Sequence, residues 1–145
     1  MGSGEPGPWH SKSGSTRRLG LAGEEQPAGL RAAHESVVAD SVTGIDATLV
    51  AQAQAVDWGL HDTIIDALDN EIISNAYRVN SVKIRLIRQE LTRLDRALVV
   101  PVMQEHLRIV AALESRDPQR AAAEITAHID NARNRALGLA GTAPA

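Results

Sequence analysis

The chain has 145 residues, room for one modest domain, and with 43% hydrophobic but only 2% aromatic residues its core must be built from Leu, Ile, Val and Ala. That composition argues against an aromatic-rich β-sandwich or barrel and against a stacking platform for single-stranded nucleic acid. A formal net charge of −3 gives no global attraction to DNA or RNA, and the absence of cysteine excludes disulfides, thiol catalysis and Cys-based zinc sites.

No run of about 18 apolar residues is present, so no membrane span is expected. The N-terminus shows no apolar stretch after its charges, so no secretory signal is expected and a cytoplasmic protein is. Residues 1–29 are rich in Gly, Ser and Pro, with Trp9 and His10 stranded among them. They read as a disordered, low-complexity lead, because so little apolar surface cannot offset the entropy of ordering. An all-helical domain is expected over 30–140.

A short helix is predicted from Leu30 to Ser41, broken by Thr43 and Gly44. A second starts near Asp46, a good N-cap type, and runs to about Leu68, weakened in the middle by Gly59. Asp69-Asn70 marks a turn and caps the next helix. There Ile73, Tyr77, Asn80, Ile84, Ile87, Leu91, Leu94 and Leu98 step by four and three alternately. This heptad-like seam, widened by Ile72, Val79 and Leu86, predicts a helix inside a bundle. Pro101 suits the first turn of a helix to about Ser115, and Asp117-Pro118 opens a last one to about Leu137, stopped by Gly138. No strand-like alternation appears. The fold class is all-α, an antiparallel helical bundle with short loops.

Three of the five histidines sit on apolar helix faces. His106 falls near the middle of the face formed by Val99, Val102, Met103, Ile109, Val110 and Leu113. His128 lies at the edge of the face formed by Ala121, Ile125, Ile129, Ala132 and Ala136. His61 shares its face with Ile64, Ile65 and Leu68, and Asp57 stands one turn before it. His10 and His34 fall outside the strong helices and carry no pattern. Asp57, His61, His106 and His128 together offer one carboxylate oxygen and three imidazole nitrogens. Such donors suit Zn²⁺, Ni²⁺ or another borderline divalent ion better than Mg²⁺ or Ca²⁺. Four protein ligands could close a tetrahedron or leave positions open on a larger coordination shell. The competing reading is three separate core histidines, each with its own hydrogen bond.

Asp57-Trp58-Gly59-Leu60-His61, then Asn70, then Glu105-His106-Leu107-Arg108-Ile109-Val110, then Arg116-Asp117-Pro118 and Ala121 through His128 carry a resemblance. Over about residues 44–138 the chain resembles the FCD domain, the C-terminal effector-sensing domain of the FadR subfamily of GntR-type bacterial transcription regulators. Leu60 stands where that family usually has Phe. The resemblance implies a divalent metal on Asp57, His61, His106 and His128, a small organic acid as effector, and a homodimer. It implies no enzymatic activity. The family's winged helix-turn-helix has no counterpart in the stretch before residue 44. The chain therefore reads as a fragment, a mis-started frame or a degenerate paralogue, and DNA binding is expected only through a domain not seen in it.

Toward an effector carboxylate, Lys83 projects within the apolar sector of its helix, Arg88 borders the seam, and Asn131 lies one turn after His128. Lys83 and Arg88 could equally be snorkelling side chains. Two other functions fit the same residues. One is a metal-dependent hydrolase, with Glu124 a better general base than Glu105, which points about 100° from His106. The other is a ligand-free helical dimerisation module built on the Ile73–Leu98 seam.

Overall fold

A computed structural model describes residues 22–87 and 94–139, and among them there are five helices and no strand. They are α1 (Ala22–Ser41), α2 (Ala47–Asp66), α3 (Glu71–Ile87), α4 (Val99–Glu114) and α5 (Pro118–Ala136). The molecule is an all-α helical bundle. None of these helices is long and apolar enough to cross a membrane.

Local chemistry explains most of the boundaries. The Asp46 carboxylate accepts the Leu49 amide at 2.8 Å and opens α2. Asn70 Oδ1 accepts the Ile72 and Ile73 amides at the start of α3. Asp117 accepts the Arg120 amide at 2.9 Å, with Pro118 in the first turn of α5. Gly138 ends that helix with φ +68°, a conformation that favours glycine.

The helix α4 is the axle: it packs against α1, α2 and α5, while α1 also packs on α2. Its sequence accounts for this, because Val99, Val102, Met103, His106, Ile109 and Val110 form one buried stripe and Glu105 and Ala112 a second. Outside the stripe, Arg31 of α1 grips Glu114 of α4, its Nε 3.0 Å and 3.1 Å from the two carboxylate oxygens.

The apolar core falls into two clusters. One contains Val37, Leu49, Ala53, Leu94, Val99, Val102 and Met103. The other contains Leu60, Ile109 and Val110, with Leu30, Ile64, Leu113 and Ile125 packed against it. A polar layer separates them. Along α1 the order is Leu30, His34, Val37; along α2, Ala53, Asp57, Leu60; along α4, Met103, His106, Ile109.

Three expectations change. Helix α1 begins at Ala22, well before Leu30, within the expected lead; residues 1–21 of that lead lie outside the described residues. The long seam helix is not an interior one. As far as it is described it ends at Ile87, and it packs on α2 alone. Ile72 is 82% exposed and Val79 54%, so periodicity correctly marked an amphipathic helix but not what covers its apolar face. On α5 the inward line runs through buried Ala121 and His128 and partly buried Ile125 and Ala132, and Ile129 is exposed. His128 is therefore central to that face rather than at its edge.

Candidate metal centre

Helices α2, α4 and α5 bring His61, His106 and His128 together, with their nearest ring nitrogens all within 4.8 Å of one another. His128 Nε2 lies 3.3 Å from His106 Nε2 and 3.4 Å from His61 Nε2. Asp57 Oδ1 adds an oxygen 3.5 Å from His106 Nε2 and 3.9 Å from His61 Nε2. His106 is fully buried and His128 nearly so, whereas the His61 side chain is 33% exposed. The site is closed on the α4 side and open beside His61.

The hydrogen bonds around the cluster say where the protons are. His34 of α1 is fully buried, and its Nδ1 lies 2.7 Å from the Leu30 carbonyl oxygen. A carbonyl only accepts, so His34 holds a proton at Nδ1. Burial holds His34 below the usual histidine pKa, so its ring is neutral and Nε2 is an acceptor. His106 Nδ1, 3.0 Å away, donates to it. Burial, reinforced by the neighbouring His128, pushes His106 down to about 2, so this ring too is neutral. Its Nε2 is left as a bare lone pair. On the other side His128 Nδ1 donates to Glu105 Oε2 at 2.8 Å, and a neutral His128 then also presents a bare Nε2. Burial, reinforced by the neighbouring His128, pushes His61 down to about 4.

Each of these groups is held from behind. Burial alone would raise the Glu105 carboxyl, but hydrogen bonds from Arg135 and His128 outweigh it and keep the group below the ordinary carboxylate range. Arg135 donates to both Glu105 oxygens, at 2.8 and 3.1 Å, and Asn131 Nδ2 adds a third bond at 3.1 Å. Gln54 donates to Asp57 Oδ2 at 3.2 Å while its own Oε1 accepts the Leu94 amide at 2.9 Å.

The donor set fits a divalent ion. Nitrogens about 2.0–2.1 Å from the centre of a tetrahedron lie about 3.3–3.4 Å from one another. The separations of His128 Nε2 from His106 Nε2 and from His61 Nε2 have that length. At this distance the contact between two unprotonated nitrogens is repulsive, and either a proton on one ring or a cation shared by all three relieves it.

The residues singled out in the sequence divide. His61, His106 and His128 converge on one point, and Asp57 Oδ1 lies beside His106 and His61. Asn131 reaches that point through Glu105 and His128. Lys83 is exposed on α3, which packs on α2 alone, and Arg88 lies outside the described residues. Glu124 pairs with Arg108 at 3.3 Å on the outside of the bundle. Sequence reasoning missed His34, and it weighed Glu105 only as a general base, not as the partner of His128. Leu30, His34 and Val37 do follow the four-and-three step of a buried stripe, and that spacing was the available signal.

A family model described as FCD domain matches residues 19–131. No curated protein and no solved structure gives a significant match.

Proposed function

The chain belongs to the FCD-domain family, a family of ligand-sensing regulatory domains of GntR-type regulators, and from that premise we propose that it is a metal-dependent sensor of a small carboxylate. The observation that carries the metal half is the convergence of three Nε2 atoms and one carboxylate oxygen, two of the rings being oriented by hydrogen bonds so that bare lone pairs face inward. Asp57, His61, His106 and His128 would hold a borderline ion such as Zn²⁺ or Ni²⁺. The ion would supply a Lewis-acidic point to which an effector carboxylate could add.

The protein's own residues determine where that addition takes place. His106 and His128 lie beneath α1 and α5 and exclude solvent, so access is from the half-exposed His61 side. Among the proposed effector contacts, Asn131 acts on the ligand set by holding Glu105. Lys83 is an effector contact only in an assembly that brings α3 to the site. The exposed apolar side of α3 supports a homodimer, and DNA is reached through a winged-helix domain, in the cytoplasm. No observation favours the hydrolase reading, since Glu124 is engaged by Arg108 away from the histidines.

The test is calorimetric. Protein purified without a His tag, stripped and reloaded with Zn²⁺ or Ni²⁺, is titrated with a panel of small carboxylates. Binding to the loaded form and its loss on stripping is the expected result. Carboxylate binding that is indifferent to the metal, or no metal uptake at all, overturns the proposal.

A further inference from the structure

The metal reading names four ligands, and nothing in it assigns a role to α1. Yet His34, from the middle of α1, is one of the most deeply buried polar side chains among the described residues. It makes two hydrogen bonds, one to its own helix at Leu30 and one to His106. The Leu30 carbonyl satisfies Nδ1 alone, so in this fully buried ring Nε2 needs a second partner. That partner is the His106 ring, the most buried of the candidate ligands.

We propose that His34 is the positioning residue that fixes His106 as its Nδ1–H tautomer, so that His106 Nε2 is free to bind a cation; the inference rests on the metal reading above. The geometry is directional. The Leu30 carbonyl can only accept, so the His34 proton is fixed at Nδ1. His34 Nε2 can then only accept, so the His106 proton is fixed at Nδ1. In the other tautomer His106 would place an N–H between His128 Nε2 and Asp57 Oδ1, blocking the site, and would set two bare nitrogens against each other toward His34. Glu105 does the same for His128 from within α4. The α1 contribution differs because α1 supplies none of the four candidate ligands, whereas α4 supplies His106 as well as Glu105. Docking of α1 and readiness of the ligand set therefore become one coupled event, since α1 reaches the site only when packed on α4.

The pattern matches a general property of histidine ligands, whose second nitrogen is normally oriented by an outer partner whose loss weakens metal binding about 10–100-fold. The partner here is an imidazole whose own Nδ1–H donates to the Leu30 carbonyl, so that its Nε2 is the atom turned toward His106.

Two variants and two readouts test this. His34→Leu keeps similar volume and removes the acceptor. His34→Gln keeps an acceptor oxygen near the position of Nε2. Long-range ¹H–¹⁵N correlation spectra of the metal-free full chain read the His106 tautomer, and competition with a chromophoric chelator reads Zn²⁺ affinity. We expect the Nδ1–H tautomer in the wild type, its loss in His34→Leu with about 10–100-fold weaker Zn²⁺ binding, and recovery to within about threefold in His34→Gln. A wild-type His106 protonated at Nε2 overturns the inference without any variant. So do equal losses in both variants, or an unchanged Zn²⁺ affinity in His34→Leu. If the wild type takes up no Zn²⁺, the metal reading fails by itself. The tautomer spectra then still decide whether His34 orients His106.

Discussion

Two buried imidazole nitrogens that face each other unprotonated have given up water and gained nothing from one another. At the residue scale that is the reason to read Asp57, His61, His106 and His128 as ligands rather than as neighbours. It also separates their variants. Asp57→Asn removes the charge that offsets a cation and keeps the volume, so Zn²⁺ affinity should fall while the metal-free protein keeps its stability to within about 1 kcal/mol. His61→Ala should behave likewise, because the ring is half-exposed and leaves little cavity. The double variant should lose less affinity than the sum, both acting through one ion. Strict additivity in chelator competition would take Asp57 out of the site. Glu105→Gln makes a different point. It weakens the grip of Arg135 and of His128 Nδ1 together, so metal affinity and metal-free stability should both drop, as expected when a buried charge network loses its centre. A Glu105→Gln protein as stable as wild type at pH 7 would mean that the network is idle. The residue scale also shows where the sequence was legible. His61 and His106 could be placed by helical step alone, because each lies among Leu, Ile and Val on its own helix. Glu105 could not, since a wheel gives one direction per residue, and only the structure shows that α4 is buried on two sides.

At the scale of elements, caps were readable and partners were not. Asp46, Asn70, Asp117 and Gly138 act through neighbours within four residues, so a local reading finds them. Gly59 is a local feature with a measurable consequence. It lies in the interior of α2, its φ is not in the left-handed range, and a Cβ there would meet nothing within 4 Å. Gly59→Ala should therefore raise stability by about 0.5–1 kcal/mol in urea unfolding, with the slope unchanged. A loss would show that the open space beside Gly59 is filled in the working assembly. Helix α3 is the opposite case. Its heptad-like step is plain in the sequence, but whether it faces the same chain or another is a tertiary fact. With Ile72 and Val79 exposed, the seam is available to a second copy. Ile72→Glu with Val79→Glu should convert a dimer to a monomer by light scattering and leave the helical circular dichroism intact. Persistence of the dimer would place the interface elsewhere.

For the whole molecule, the decisive feature is a titratable layer laid across the bundle between two apolar clusters. It draws on every packed helix except α3: His34 from α1, Asp57 and His61 from α2, Glu105 and His106 from α4, His128 and Arg135 from α5. Stability should therefore follow pH through these groups together. The sign comes from the folded values. Burial lowers His34 below the usual histidine pKa, His61 is pushed down to about 4 and His106 to about 2, while an unfolded histidine titrates near 6.5. Well above about pH 6.5 these rings are neutral in both states and add no pH dependence. Below it the unfolded chain takes up protons that the folded protein refuses, so unfolding is favoured by up to about 1.4 kcal/mol per pH unit for each such ring. Glu105, held low in the folded state, works in the same direction at lower pH still. Urea titrations of chelator-treated protein at pH 7.5, 6.5 and 5.5 should show a small drop between the first two values, about 1 kcal/mol for three such rings, and a drop roughly three times larger between the last two. Between the last two, the drop should exceed what one histidine can supply. Saturating Zn²⁺ should raise stability at pH 7.5 and lose that advantage toward pH 5.5, since protons and the ion compete for the same nitrogens. A metal-free stability flat from pH 7.5 to 5.5 would mean that the folded cluster accepts protons as readily as the open chain, and that the ring nitrogens gathered between α2, α4 and α5 are not kept unprotonated for a cation.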